Sequence, residues 1–254
     1  MTALVRPSPI FVALLGATGL GGALAWSAGS RAGTPAYVGV FILVIAGWLV
    51  SLCLHEFGHA VTAWRFGDHG VAARGYLTLN PLRYTHPGLS LGLPVLFVAL
   101  GGIGLPGGAV YVQTSLMTPL RRTVVGLAGP AANLALAVVL VVLLRSFLDG
   151  AHAVFWAGLA FLAFLQVTAV VLNLLPVPGL DGYSALEPHL SPATQRALEP
   201  VKGWGLLALL VLLVTPALNH GFFSIVFWFL DVSGAPQSLA GWGMTLTRFW
   251  SGWL

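Results

Sequence analysis

Four long apolar runs and a shorter fifth, at about residues 9 to 29, 37 to 64, 122 to 148, 153 to 175 and 203 to 218, leave this chain few ways to fold. Each long run reaches the roughly 20 residues a helix needs to cross the hydrocarbon core of a bilayer. Only 7% of the residues are Asp, Glu, Lys or Arg, against about 25% in an ordinary soluble domain. The chain therefore reads as an integral, all-α membrane protein, a polytopic bundle of five or six transmembrane helices. The count depends on residues 221 to 230 ("GFFSIVFWFL"), which end at Asp231 and fit a short sixth span, a re-entrant piece or an interfacial turn.

The segments left outside such spans are about 20 to 30 residues long, short of the 50 or so that an independent soluble domain needs. One membrane-embedded domain over residues 1 to 254 is expected. In the tail, about residues 231 to 254, Leu239, Trp242, Leu246, Trp250 and Trp253 recur at near-helical spacing. That pattern fits an interfacial helix, and equally one packed against the bundle.

The net charge is +4, yet in a membrane protein the distribution of cations says more than their sum. With a cytoplasmic N-terminus and alternating spans, Arg6, Arg65, Arg74, Arg83, Arg121, Arg122, Arg196 and Lys202 fall inside, and Arg31 and Arg145 outside. This obeys the positive-inside rule, so the basic residues report topology, and no nucleic-acid partner is implied. Arg6, the apolar run after it and "ALA" at residues 23 to 25 also fit a cleaved signal peptide. The second span has the same orientation either way. The single cysteine, Cys53, lies within that span and permits no intramolecular disulfide.

The second span reads "WLVSLCLHEFGHAVTAW" over residues 48 to 64, with three ionisable side chains in an apolar run. A charged group at the bilayer centre costs on the order of 2.5 to 3.5 kcal/mol on the insertion scale, so three together need a reason. On a helix His55 and His59 are four residues apart and share a face, and Glu56 is one position on. This HExxH spacing lets two imidazoles close on one tetrahedral zinc with a carboxylate in reach of its water. A hydrolytic zinc site commonly uses a third protein ligand, and depth in the bilayer narrows the choice. Asp149 lies on the opposite side and Asp231 in the tail, whereas "NLLPVPGLDG" at the inner end of the fourth span brings Asp181 to the correct side. Asp181 is the best candidate, with an ordinary loop aspartate in a "DG" turn as the rival reading.

The segments "HEFGH" and, two spans later, "NLLPVPGLDG" resemble the paired motifs of the site-2 protease family of intramembrane zinc metalloproteases. "GYLTLNPL" (75 to 82) and "LAGPAANLALA" (127 to 137) extend the resemblance over about residues 48 to 185, and it is greatest to the compact branch without PDZ or CBS domains. It implies one zinc per chain, held by His55, His59 and Asp181, with Glu56 as the catalytic acid/base. It also implies that Asn173 helps to hold the substrate backbone and that Asn133 supports the site. The substrate implied is a single-span protein in the lipid bilayer, such as an anti-sigma factor or another membrane-tethered regulator. The expected location is a bacterial plasma membrane, with the N-terminus and active site towards the cytoplasm. The sequence departs from the branch at "THPGL", where His86 stands in place of a common acidic residue, and at "LPGGAVYVQT".

A substrate helix must unwind to be cut, and in a bilayer its freed backbone groups need partners, which an exposed strand supplies by edge addition. Residues 71 to 79 and 108 to 114 are expected to form a small membrane-associated β element, with a re-entrant segment through "LSLGLPVLFVALGGIGL" between them. The expected activity is hydrolysis of peptide bonds in or near transmembrane segments. The alternative is a membrane metal transporter or metal-binding protein, for which His and Asp inside a membrane are equally natural and Glu56 is dispensable.

Overall fold

A computed structural model describes residues 5–84, 92, 95–96, 98, 110–115, 117–248 and 250. Among these residues the protein is helical and contains no strand. The helices are α1 (Pro9–Ser27), α2 (Thr34–Arg65), α3 (Gly70–Ala73), α4 (Pro119–Phe147), α5 (Ala153–Asn173), α6 (Asp181–Leu186), α7 (Pro192–Leu198), α8 (Gly205–Val214), α9 (Pro216–Ser233) and α10 (Gln237–Thr247). Uniformly apolar runs in lipid have to satisfy every backbone N–H and C=O internally, and the helix does so within one segment. Proline at the first or second position starts α1, α2 and α4, where its missing N–H costs nothing.

Four helices, α1, α2, α4 and α5, are long and apolar enough to cross a membrane, and a fifth crossing exists if the bent stretch from α7 to α8 is one broken span. Residues 221 to 230 fall inside the single helix α9 and are not among the four. The apolar windows of α5 and α1 are 83% and 22% buried, which makes α5 the central post and α1 a lipid-facing flank. Leu159 and Leu172 of α5 join one apolar cluster with α4 and α9, and its Phe161 and Leu165 join another with α2 and α10. The tail helix α10 docks on α5 at Gly243, where a Cβ would stand 2.0 Å from the Ala157 carbonyl oxygen. Of the two readings of the tail, packing against the bundle is the one observed.

The expected β element is corrected. Residues 71 to 79 form α3 and a 3-10 turn over Tyr76–Thr78. The backbone turns left-handed at Gly75 (φ 78°) and Leu79 (φ 56°), outside the extended region a regular strand occupies. The β-branched and aromatic residues that pointed to a strand serve as core instead: Val71, Tyr76 and Leu77 pack with Ala60, Ala63 and Val125. Residues 110–114 carry no regular structure. His86 and most of the expected re-entrant segment lie outside the described residues.

Candidate metal centre

Three elements converge on one point. From α2, His55, Glu56 and His59 are all buried, and the helical spacing brings the two Nε2 atoms to 3.2 Å. The motif's glycine has a packing role: a Cβ on Gly58 would stand 2.7 Å from the Ala128 carbonyl oxygen, so glycine is what lets α2 and α4 touch here. From α4, the Val125 carbonyl accepts a hydrogen bond from His59 Nδ1 at 2.7 Å, and Asn133 Oδ1 lies 2.5 Å from His55 Nδ1. Each ring therefore turns its Nε2 inwards.

The third element is the turn after α5. Gly179 has φ 99°, which favours glycine, and a Cβ on Gly182 would lie 2.3 Å from the Leu174 carbonyl oxygen. The chain is thereby folded back tightly enough to set Asp181 under the histidines. Its Oδ2 lies 3.1 Å from His55 Nε2 and its Oδ1 3.3 Å from His59 Nε2. Burial opposes the charge on Asp181, but the imidazoles of His59 and His55 outweigh it and hold the carboxyl well below the usual carboxylate range.

The donor set suits zinc, which takes imidazole nitrogen and carboxylate oxygen. The two Nε2 atoms are 3.2 Å apart, each lies 3.1–3.3 Å from a different Asp181 oxygen, and one ligand atom from each of the three residues can be chosen with all within 4.8 Å of one another. His59 Nδ1 faces a carbonyl and must carry a proton, so in the neutral ring that binds a metal His59 Nε2 is the nitrogen with the lone pair. Asp181 Oδ2 is sealed from solvent without a hydrogen-bond donor. Lone pairs crowded in this way require a cation, or protons in its place. Space for the rings comes from Gly129 on α4, where a Cβ would intrude to 2.2 Å from His59 Nε2 and 2.6 Å from His55 Nε2.

Glu56 accepts a hydrogen bond from the Val110 N–H through Oε2 at 3.0 Å. It shares a cavity of about 790 Å³ with His55, His59, Asp181 and Asn173, the last being the buried end residue of α5. All six residues singled out in the sequence thus lie at or beside this cavity, Asn133 included. Sequence reasoning missed several others. Gln166 of α5 accepts from Asn133 Nδ2 at 2.8 Å and donates to Ser51 Oγ at 3.0 Å. Asp68 accepts from the N–H groups of Gly70 and Gln113 at 3.0 and 2.7 Å, tethering the 110–114 segment. Arg74 adds a bond of 3.0 Å to the Tyr111 carbonyl. At the cavity mouth Glu187 pairs with Lys202 at 2.6 Å and Arg122 at 3.6 Å. A glutamine in the middle of an apolar span was the signal available for Gln166.

The fold and site define a membrane-embedded metallopeptidase of the site-2 protease type: the profile of peptidase family M50 matches residues 41–155. The chain belongs to that family, as its full-length relatives also show. It is 69% identical over 249 residues to a protein of Mycolicibacterium smegmatis named "Putative zinc metalloprotease Rip2", covering 98% of this chain and 96% of that one. A Mycobacterium tuberculosis protein of the same name is 67% identical with the same coverage. "Putative zinc metalloprotease YwhC" of Bacillus subtilis is 32% identical over 176 residues, 66% of this chain and 78% of the other. No solved structure gives a significant match.

Proposed function

We propose that this zinc metalloprotease cuts peptide bonds in or near transmembrane segments of membrane-tethered proteins, with His55, His59 and Asp181 as its zinc ligands and Glu56 as its acid/base. The observation that carries the reading is the meeting of His55 Nε2, His59 Nε2 and an Asp181 oxygen, all within 4.8 Å of one another, between helices long enough to span a bilayer. The chemistry zinc supplies in such a site is Lewis acidity, which acidifies water and polarises a carbonyl.

The chain's own residues do the rest. Glu56, anchored through Oε2 by Val110, takes the proton of the attacking water and returns it to the departing amine. Asn173, beside the same cavity, holds the substrate backbone near the reacting carbonyl, and Asn133 supports the site through His55. The substrate is a single-span protein, such as an anti-sigma factor or another tethered regulator, and the active site faces the cytoplasm with the N-terminus on the same side. Eight of the ten assignable cations on the inner side support that orientation.

The test is metal content and cleavage together. Wild type, Glu56→Gln and Asp181→Ala are purified in detergent, zinc per chain is measured, and each is incubated with a panel of single-span substrates. The reading requires about one zinc in wild type, zinc without cleavage in Glu56→Gln, and weakened zinc binding in Asp181→Ala. Glu56→Gln that cuts as well as wild type overturns it, and Glu56→Gln that still moves zinc across a vesicle membrane returns the transporter alternative.

A further inference from the structure

A line of four polar side chains crosses the bundle from α2 through α4 and α5 and back to α2. His55 Nδ1 meets Asn133 Oδ1, Asn133 Nδ2 meets Gln166 Oε1, Gln166 Nε2 meets Ser51 Oγ, and Ser51 Oγ meets the Trp48 carbonyl. Ser51, Asn133 and Gln166 are each at most 2% exposed, so their side chains bond chiefly to one another. Burying such groups is costly unless every bond is made.

We infer that Ser51 and Gln166 are positioning residues that dictate which nitrogen of His55 is offered to the metal. The line has only one workable polarity. A backbone carbonyl can only accept, so Ser51 spends its single proton on Trp48, 2.8 Å away. Ser51 Oγ is then an acceptor for Gln166, whose amide must face it with nitrogen and face Asn133 with oxygen. Asn133 in turn presents nitrogen to Gln166 and oxygen to His55, and an oxygen facing Nδ1 requires the proton there. His55 Nε2 is left with its lone pair towards Asp181.

Reversing the line would turn the Ser51 and Trp48 oxygens lone pair to lone pair at 2.8 Å and would move the His55 proton to Nε2, the wrong nitrogen for binding. His59 needs no such line, because its Nδ1 meets a backbone carbonyl directly. The two histidines of one motif are thus oriented by different means, and only His55 depends on α5.

The inference rests on reading the cluster as a metal centre, and its test is read in zinc affinity rather than cleavage. Zinc is titrated against a chromogenic chelator for wild type, Gln166→Leu, Ser51→Ala, Ser51→Thr, Asn133→Ala and the double variant Gln166→Leu with Asn133→Ala. Outer partners of ligating histidines are typically worth about 10- to 100-fold in affinity. Gln166→Leu is expected to bind zinc about 10-fold more weakly, Ser51→Ala to be weakened in the same direction, and Ser51→Thr, which keeps the hydroxyl, to restore affinity.

The double variant should bind no more weakly than Asn133→Ala alone, since Gln166 acts through Asn133; two independent packing defects would add. Affinity of Gln166→Leu within about twofold of wild type, or full additivity in the double variant, overturns the inference. If Gln166→Leu fails to fold, Ser51→Ala decides, because it removes a single oxygen: unchanged zinc affinity there overturns it equally. A wild type that holds no zinc sinks the metal-centre reading itself, a different outcome from wild type binding tightly and the variants matching it.

Discussion

Gly129 faces His59 so closely that a Cβ on it would stand 2.2 Å from the ring's Nε2, closer than any non-bonded carbon and nitrogen can approach. The residue lies in the middle of α4, where glycine is less favourable than alanine by about 1 kcal/mol, so the helix gives up stability to make room for the rings. Gly129→Ala should form a better helix and a worse site. Ligands displaced by more than about 0.5 Å lose productive geometry, and zinc per chain should fall below about a tenth of wild type while far-ultraviolet circular dichroism is unchanged. Full zinc occupancy in Gly129→Ala would mean that the rings meet the metal from another direction.

Gly182 does the same for the third ligand. Its neighbour Asp181 is delivered by a turn in which a Cβ at 182 would lie 2.3 Å from the Leu174 carbonyl oxygen, a backbone atom that cannot rotate away. Gly182→Ala should lift the start of α6, cost about 1–3 kcal/mol as overpacking does, and weaken zinc binding by about 10-fold or more through the displaced carboxylate. Chelator competition and a thermal melt in detergent check both parts.

The membrane helices were legible because nothing competes with hydrophobicity there. The expected runs at 9 to 29, 37 to 64, 122 to 148 and 153 to 175 lie within a few residues of α1, α2, α4 and α5. Asp181 was legible from depth and from the "NLLPVPGLDG" motif together, since it follows the end of α5 that lies at the level of His55 and His59 on α2. Residues 71 to 79 misled because the side chains that favour a strand equally favour a core, and Val71 and Tyr76 found one against α2 and α4. Gln166 and Ser51 were harder to read, because a neutral side chain marks an apolar run less sharply than an ionisable one and neither lies in the motifs that pointed to Asn133 and Asn173. In lipid a buried amide also demands a partner, and that demand is what ties α5 to His55.

Asp68 is expected to matter for cleavage and not for zinc. Its two oxygens divide between the N–H groups of Gly70 and Gln113, and the second of these keeps residues 110–114, and so the Val110 N–H that Glu56 uses, in register with α2. Asp68→Asn retains one acceptor and trades the other for a donor that faces a donor. Losing a hydrogen bond to a charged group costs about 1.5–3 kcal/mol. Cleavage of a single-span substrate should fall about 10-fold with zinc per chain unaltered, and a variant that loses zinc in proportion to activity would contradict this division of labour.

Losing the metal, to acid or to a chelator, should silence the protein and spare its fold. Zinc competes with protons for its ligands, so it should be released as pH falls. Removal of zinc by chelation at neutral pH should abolish cleavage reversibly while leaving the helical spectrum intact. The Glu56→Gln protein should release its zinc at the same pH as wild type, because Glu56 bonds Val110 and is not one of the three groups that meet at the metal position; a shift of the release midpoint by about one pH unit or more, equivalent to about 1.4 kcal/mol per proton, would make Glu56 a ligand and not the acid/base.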